Sequence, residues 1–338
     1  MSEWTGFLLI VVGGAMQGTY YLGLKYVEPW KWENIWSVYA LFSLLLLPVA
    51  LAAATVPSLR GVFAGAPSPA IWSVFLYGAG WGIGSTLSGL GVARLGLAMG
   101  VAILLGVTAA IGSFVPLVSK TPGLIFQAKG LMIVASVVTL LAGVFLVAVA
   151  GKKRESSQAG SVKAVIPGSF SAGLAICIAS GVFSSMLNLA YAFDKPVVKA
   201  AVAAGASKPA ATYVVWMIAL AGGFLANAVY TSYLMTRNRT WKNFALPRTG
   251  LFWVIGLVMG ALWFVGVVLY GRGADSMGEL GSVIGWPVFL AAMIVFSSIW
   301  GFVTGEWKGS SARAKQFMGG GFVVLMLACA LLGVANRM

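Results

Sequence analysis

The chain has 338 residues, of which 60% are apolar and 9% charged, where a soluble domain carries about a quarter charged residues. That balance excludes a water-soluble globule, because the polar groups are too few to cover its surface, and it makes lipid the solvent for much of the chain. The net charge of +14 does not indicate nucleic acid, since no basic soluble domain is present to carry such binding.

A helix needs roughly 20 mostly apolar residues to cross the hydrocarbon core. Such runs recur at 4–24, 36–56, 70–93, 97–118, 125–150, 166–192, 209–235, 249–271, 279–303 and 313–335. They are longer than the ~10-residue segments of a membrane barrel and do not alternate. The predicted fold is therefore an all-α integral membrane protein with ten transmembrane helices.

The first span follows Met1-Ser2-Glu3-Trp4 with no basic region ahead of it, so it reads as a retained helix and not as a cleaved signal. It carries Gln17, Tyr20 and Tyr21, an amide beside two aromatics. The second begins at Trp30-Lys-Trp-Glu-Asn-Ile-Trp36. Its tryptophans suit an interfacial belt, and Glu33 either belongs to that belt or faces a polar cavity. The third span holds Gly78-Ala-Gly80-Trp-Gly82-Ile-Gly84 with Trp81, then Ser85 and Ser88. These glycines lack the Lys-Ser/Thr of a phosphate loop and read as close helix packing.

Residues 151–165, opening with the polar run Gly-Lys-Lys-Arg-Glu-Ser-Ser-Gln, form a basic linker. It divides the chain into a first half, 1–150, and a second, 166–338, of five spans each. The sixth span offers Ser184, Ser185, Asn188 and Tyr191, the seventh Asn227, and the eighth Trp263 and Tyr270. The ninth opens at Glu279, followed at i+3 and i+7 by Ser282 and Trp286. A carboxylate, a hydroxyl and an indole on one helical face suit a sugar site. An acid favoured by the helix dipole is the other reading of Glu279. For each polar residue taken singly, bridging between helices competes with ligand binding. Cys177 and Cys329 fall inside spans with no histidine anywhere in the chain, so they read as structural thiols, and neither metal nor cofactor is expected.

Fourteen of the 22 basic residues lie in the odd-numbered loops, among them Lys152, Lys153, Arg154, Lys163, Arg237, Arg239, Lys242 and Arg248. The positive-inside rule then puts those loops in the cytoplasm and both termini outside. Five spans per half make the halves enter from opposite sides, the arrangement of inverted-repeat transporters. A trace of that repeat joins Trp81, Gly89, Gly91, Leu95 and Gly96 to Trp263, Gly271, Gly273, Met277 and Gly278, each pair 182 positions apart. No Lys or Arg falls mid-span to offset an anionic cargo, and no acid falls mid-span in the first helix to meet a lipophilic cation. A neutral polar solute is what remains.

Several stretches resemble the L-rhamnose–proton symporter family of the drug/metabolite transporter superfamily: Trp30-Lys-Trp-Glu-Asn-Ile-Trp-Ser-Val38, Gly80-Trp-Gly-Ile-Gly84 with Leu95-Gly-Leu-Ala-Met-Gly100, Gly181-Val-Phe-Ser184, Tyr270-Gly-Arg-Gly273 and Gly305-Glu-Trp-Lys308. The resemblance implies two inverted five-helix repeats and proton-driven import of L-rhamnose or a related neutral deoxysugar. The expected partners are that sugar, a proton and the bilayer. Sugar contacts are expected from Gln17, Tyr20, Tyr21, Trp81, Ser85, Asn188, Trp263, Tyr270, Ser282 and Trp286, and proton binding from Glu279 before Glu33. An uncoupled uniporter or a metabolite or drug exporter would share this architecture. No nucleophile–base or metal constellation supports an enzyme.

Overall fold

The computed structural model describes residues 3–95, 97–157 and 170–338. Among them, nine helices are long and apolar enough to cross a bilayer. Counting the pair Leu59–Gly65 and Ser68–Val92, bent by 109°, as one span gives ten, and no strand occurs among the described residues. The spans are α1 (Trp4–Tyr26), α2 (Trp32–Thr55), α3 (Ser68–Leu95), α4 (Leu97–Lys120), α5 (Ala128–Ser157), α6 (Phe170–Ala192), α7 (Lys208–Arg237), α8 (Gly250–Ser276), α9 (Gly281–Val303) and α10 (Ala312–Arg337). This is the all-helical membrane fold that hydropathy predicts. Large apolar side chains such as Leu76, Val138, Phe145 and Val323 are exposed on the outer surface, where lipid is their solvent.

One boundary differs in kind. Helix α5 continues to Ser157, so the described part of the expected linker is helical. The rest of that linker, with Lys163, lies outside the described residues, as does Gly96 of the proposed repeat.

Both termini reach one face, where the Arg337 guanidinium lies 4.2 Å from the Trp4 ring centroid. We call it the termini face. On the opposite face the ends of α1, α5 and α9 meet through Lys25, Arg154 and Glu306.

Two groups of three helices build the centre. Helix α1 packs against α8 and α9, and α6 packs against α3 and α4. Helices α2 and α7 face each other, and α5 and α10 pair at the outside. Small residues make the inner crossings possible, as in other membrane bundles. A Cβ on Gly13 would stand 2.6 Å from the Gly266 carbonyl oxygen, and one on Gly266 would stand 2.8 Å from that of Gly13. Gly6 and Gly273 repeat the arrangement one crossing further along. In the other trio, a Cβ on Gly84 would stand 2.6 Å from Ser184 N, and one on Gly91 would stand 2.6 Å from Cys177 Sγ.

Three helices are locally irregular where they approach the centre. Helix α1 tightens into a 3₁₀ turn at Tyr20–Tyr26, and α2 widens into a π-helical stretch at Leu41–Leu46 ahead of Pro48. A proline clashes with the carbonyl four residues before it, and the wider turn accommodates Pro48. Helix α9 is entered through a separate 3₁₀ turn, Gly278–Leu280, with Gly278 at φ +73°.

Candidate functional site

Between the two trios lies a cavity of about 500 Å³, within the usual range for small-molecule sites. Helix α1 contributes Gln17, Tyr20 and Tyr21. Helix α2 contributes Trp32, Trp36 and Tyr39, which its 3.6-residue period puts on one face. Trp81, Ser85 and Ser88 come from α3, Thr108 from α4, Ser184 from α6 and Asn227 from α7. Trp263 of α8 and Trp286 of α9 complete the wall. Among the described residues lining this cavity, every polar group is an amide, a hydroxyl or an indole, and none is ionised.

The aromatic rings support one another. Tyr20 stacks on Tyr39 at 5.2 Å between centroids, Trp36 lies 4.8 Å from Tyr39, and Trp81 lies 5.2 Å from Trp263. Hydrogen bonds fix the polar atoms. Trp36 Nε1 donates to Asn227 Oδ1 at 2.9 Å, and Gln17 Nε2 donates to the Trp263 carbonyl at 3.0 Å.

A second chamber of about 590 Å³ shares Gln17, Tyr21, Ser88 and Met293 with the first and continues toward Arg154, Glu155 and Glu306. The site therefore leads to the face opposite the termini. At that mouth Lys25 Nζ lies 2.6 Å from Glu306 Oε1, and Arg154 Nη1 lies 3.2 Å from Glu306 Oε2. Burial works against the Glu306 charge. The Lys25 hydrogen bond and charge, reinforced by Arg154, outweigh it and hold the carboxyl below the ordinary range.

Toward the termini face the same cleft is plugged. Asn188 Nδ2 donates to the Gly112 carbonyl at 2.7 Å and to the Ser282 carbonyl at 3.0 Å, while the Tyr270 hydroxyl donates to Asn188 Oδ1. Ser113 Oγ donates to the Val283 carbonyl at 2.7 Å, and Trp286 Nε1 donates to the Thr108 carbonyl at 3.2 Å. Two prolines explain part of this pattern. Pro116 within α4 has no N–H to give Gly112, and Pro287 within α9 has none to give Val283. A carbonyl left free in a helix interior needs another donor. Asn188 and Ser113 supply it from across the cleft. Above this layer Tyr191 stacks on Trp216 at 5.5 Å and 7°, and its hydroxyl donates to Asp275 Oδ1 at 2.6 Å.

The sequence as a whole matches the model of the L-rhamnose-proton symport protein family over residues 3–337. The chain belongs to that family. Relatives described as L-rhamnose-proton symporters include one from Cronobacter sakazakii, 27% identical over 97% of this chain and 96% of its own length. Others from Citrobacter koseri and Klebsiella pneumoniae subsp. pneumoniae are 25% identical over 97% of both chains. Family and relatives are transporters, so this chain is a multi-pass membrane transporter and not an enzyme.

Within this transporter, the expected site residues divide into two layers. Gln17, Tyr20, Tyr21, Trp81, Ser85, Trp263 and Trp286 line the cavity. Asn188, Tyr270 and Ser282 do not. They are buried in the plug next to it, at 0%, 1% and 3% exposure. The two acids expected to bind the proton are elsewhere. Glu279 is exposed on the termini face, because the 3₁₀ turn after Gly278 takes it out of the register it would share with Ser282 and Trp286 on a continuous α-helix. Glu33 is buried, and its Oε1 accepts from Asn238 Nδ2 at 3.0 Å and Thr240 Oγ1 at 2.9 Å. It thereby ties the start of α2 to the loop after α7 and does not line the cavity.

Trp32, Trp36, Tyr39, Tyr230 and Phe289 are cavity aromatics outside the expected set. The spacing of Trp36 and Tyr39 with Trp32 was a usable signal, hidden by the resemblance of Trp30–Trp36 to an interfacial belt. The mid-span prolines at 116 and 287 were a second signal.

Proposed function

We propose that this symporter imports L-rhamnose or a closely related neutral deoxysugar together with a proton, by alternating access across a bacterial inner membrane. The observation that carries the reading is the uncharged, aromatic-walled cavity, open to one face and sealed toward the other. Amides and hydroxyls there donate to and accept from sugar hydroxyls, and indole and phenol faces cover the less polar side of the ring. The absence of an ionised lining group fits a neutral cargo, since a buried unpaired charge is costly.

The packing supports two inverted five-helix repeats, 1–150 and 166–338, about the segment 151–165. Advancing every helix number by five, cyclically, turns α1 with α8 and α9 into α6 with α3 and α4, and leaves the pairs α2–α7 and α5–α10 unchanged. Trp81 and Trp263, equivalent in the proposed repeat, meet across its centre. Repeats of this kind move by rocking around a central site. With the basic odd-numbered loops in the cytoplasm and both termini in the periplasm, the structure corresponds to the inward-open state.

The test is uptake into proteoliposomes after an imposed pH step, across L-rhamnose, L-fucose, L-lyxose, L-mannose and D-glucose. L-rhamnose or a close relative accumulates when the outside is made acid, and its entry alkalinises the outer medium. Entry without a pH change would make the protein a uniporter, and no entry of any of the five would remove the sugar assignment.

A further inference from the structure

We propose that Asp275 is the proton-operated latch of the termini-face gate. Ionised, it holds the plug shut; taking a proton from the medium on that face releases it. This rests on the alternating-access reading above and names the group through which a proton acts on the gate.

The placement of the acids leads there. The chain has eight, and no histidine. Glu33 is committed to two donors of the loop after α7, and Glu306 is held by Lys25 and Arg154 at the other mouth. Asp275, in the last turn of α8, is different. Both of its oxygens accept from neutral hydroxyls on other helices: Oδ1 from Tyr191 of α6 at 2.6 Å, and Oδ2 from Thr212 of α7 at 3.1 Å. The Tyr191 bond joins one trio to the other, so it is made only while the gate is closed. Hydrogen bonds to an ionised acceptor are about twice as strong as neutral ones. Protonation of the carboxylate therefore weakens this cross-gate contact.

Three further features suit a latch. Asp275 is exposed on the termini face, so protons reach it from that side while the sugar cavity faces the other. The other cross-gate acceptor of Tyr191, the Gly271 carbonyl of α8 at 3.2 Å, is neutral, so protonation of Asp275 leaves Tyr191 only neutral hydrogen bonds across the gate. Beneath it, Ser282 Oγ and Trp216 Nε1 are buried without a hydrogen-bond partner. Unsatisfied buried polar groups disfavour the closed arrangement, and the plug stays shut only while its remaining contacts hold.

The charged surroundings are mixed. Arg272 lies on the same helix as Asp275. Asp194, on the connection after α6, is close enough to act as a like charge, and Lys120 of α4 and Lys195 lie close to Asp194. Glu279 is a further carboxylate near Lys120. The titratable hydroxyls facing the site are those of Tyr191 and Tyr270.

The test needs no sugar. Ser282→Cys puts a thiol in the plug, and its modification by a membrane-impermeant maleimide applied from the termini face reports opening. The full-length chain carrying only its native cysteines supplies the background. The ratio of labelling rates with and without Asp275→Asn, taken at each pH, cancels the thiol's own pH dependence. Asp275→Asn is expected to be labelled at every pH. With Asp275 present, labelling matches it at acid pH and falls behind by roughly tenfold per pH unit above the midpoint, the slope of a single proton. A constant ratio from pH 5 to 9, or no labelling of the Asp275→Asn protein at any pH, would overturn the latch. If Asp275→Asn does not fold, Tyr191→Phe with Thr212→Val removes both donors and must give the same pH-independent opening, and a retained pH dependence refutes the proposal. Counterflow of labelled L-rhamnose decides the cargo separately, so either reading can fail without the other.

Discussion

The cavity and the plug are built from the same kinds of side chain, yet one is empty space and the other is packed. Toward the cavity the cleft holds Gln17, Asn227, Trp36, Tyr39 and Trp81; toward the plug it holds Asn188, Trp216, Tyr191 and Tyr270. The difference lies in the meeting of the trios. On the termini side α6 and α4 touch α8 and α9, and their amides and hydroxyls bond one another. On the other side the trios stand apart, and the same chemical groups face open space. A polar aromatic layer in this protein is thus packed or open according to the separation of the trios.

Removing a plug residue tests that comparison most severely. Asn188→Ala leaves the Gly112 and Ser282 carbonyls and the Tyr270 hydroxyl without their partner. A buried unsatisfied group costs about 1–3 kcal/mol, so the closed plug should weaken by about 3 kcal/mol, or on the order of a hundredfold in its open–closed equilibrium. Labelling of a Ser282→Cys reporter from the termini face should rise accordingly at all pH values. An unchanged rate would mean that Asn188 packs without sealing.

A cavity residue should behave differently. Trp81→Ala deletes half-buried wall with no hydrogen bond across the plug. It should lower sugar affinity by about tenfold, roughly 1.4 kcal/mol, and leave the labelling of the plug unaltered. Tryptophan-fluorescence titration with L-rhamnose measures the first effect. A variant that changed closure instead of affinity would erase the distinction between the layers.

The smallest effect belongs to the mouth. Glu306 is ionised more readily folded than unfolded, so its contribution to stability is present above the unfolded carboxyl range, about 4.3, and is lost as pH falls through the lower folded value. Its side chain is 43% exposed, and exposed pairs contribute little. Glu306→Gln should lower the melting temperature by roughly 1–2 °C at pH 7, with the difference vanishing near pH 3. A difference that persisted at pH 3 would assign the effect to packing.

Much of the site was legible before folding. Gln17, Trp81 and Trp263 stood out because an amide or an indole inside an apolar run is conspicuous. Asn188 stood out for the same reason, but nothing in its spacing told a seal from a binding surface, because that depends on how far apart two helices distant in sequence stand. Glu279 misled because helical spacing was extended through Gly278, where the backbone turns. Nothing in the sequence around Asp275 sets it apart from the other acids. Its distinction is two neutral donors, Tyr191 and Thr212, 84 and 63 positions away in the chain.

Sequence alone determined that this protein lives in lipid and crosses it as helices, because a backbone without water must satisfy its own hydrogen bonds and the apolar runs are long enough to do so. It also showed that the polar groups in mid-span are amides, hydroxyls and aromatics, with no Lys or Arg among them. Tertiary structure alone decided which of those groups bond one another and which face open space. Hydrogen bonds across the cleft depend on gaps of an ångström or two between helices, and side chains far apart in the chain set those gaps.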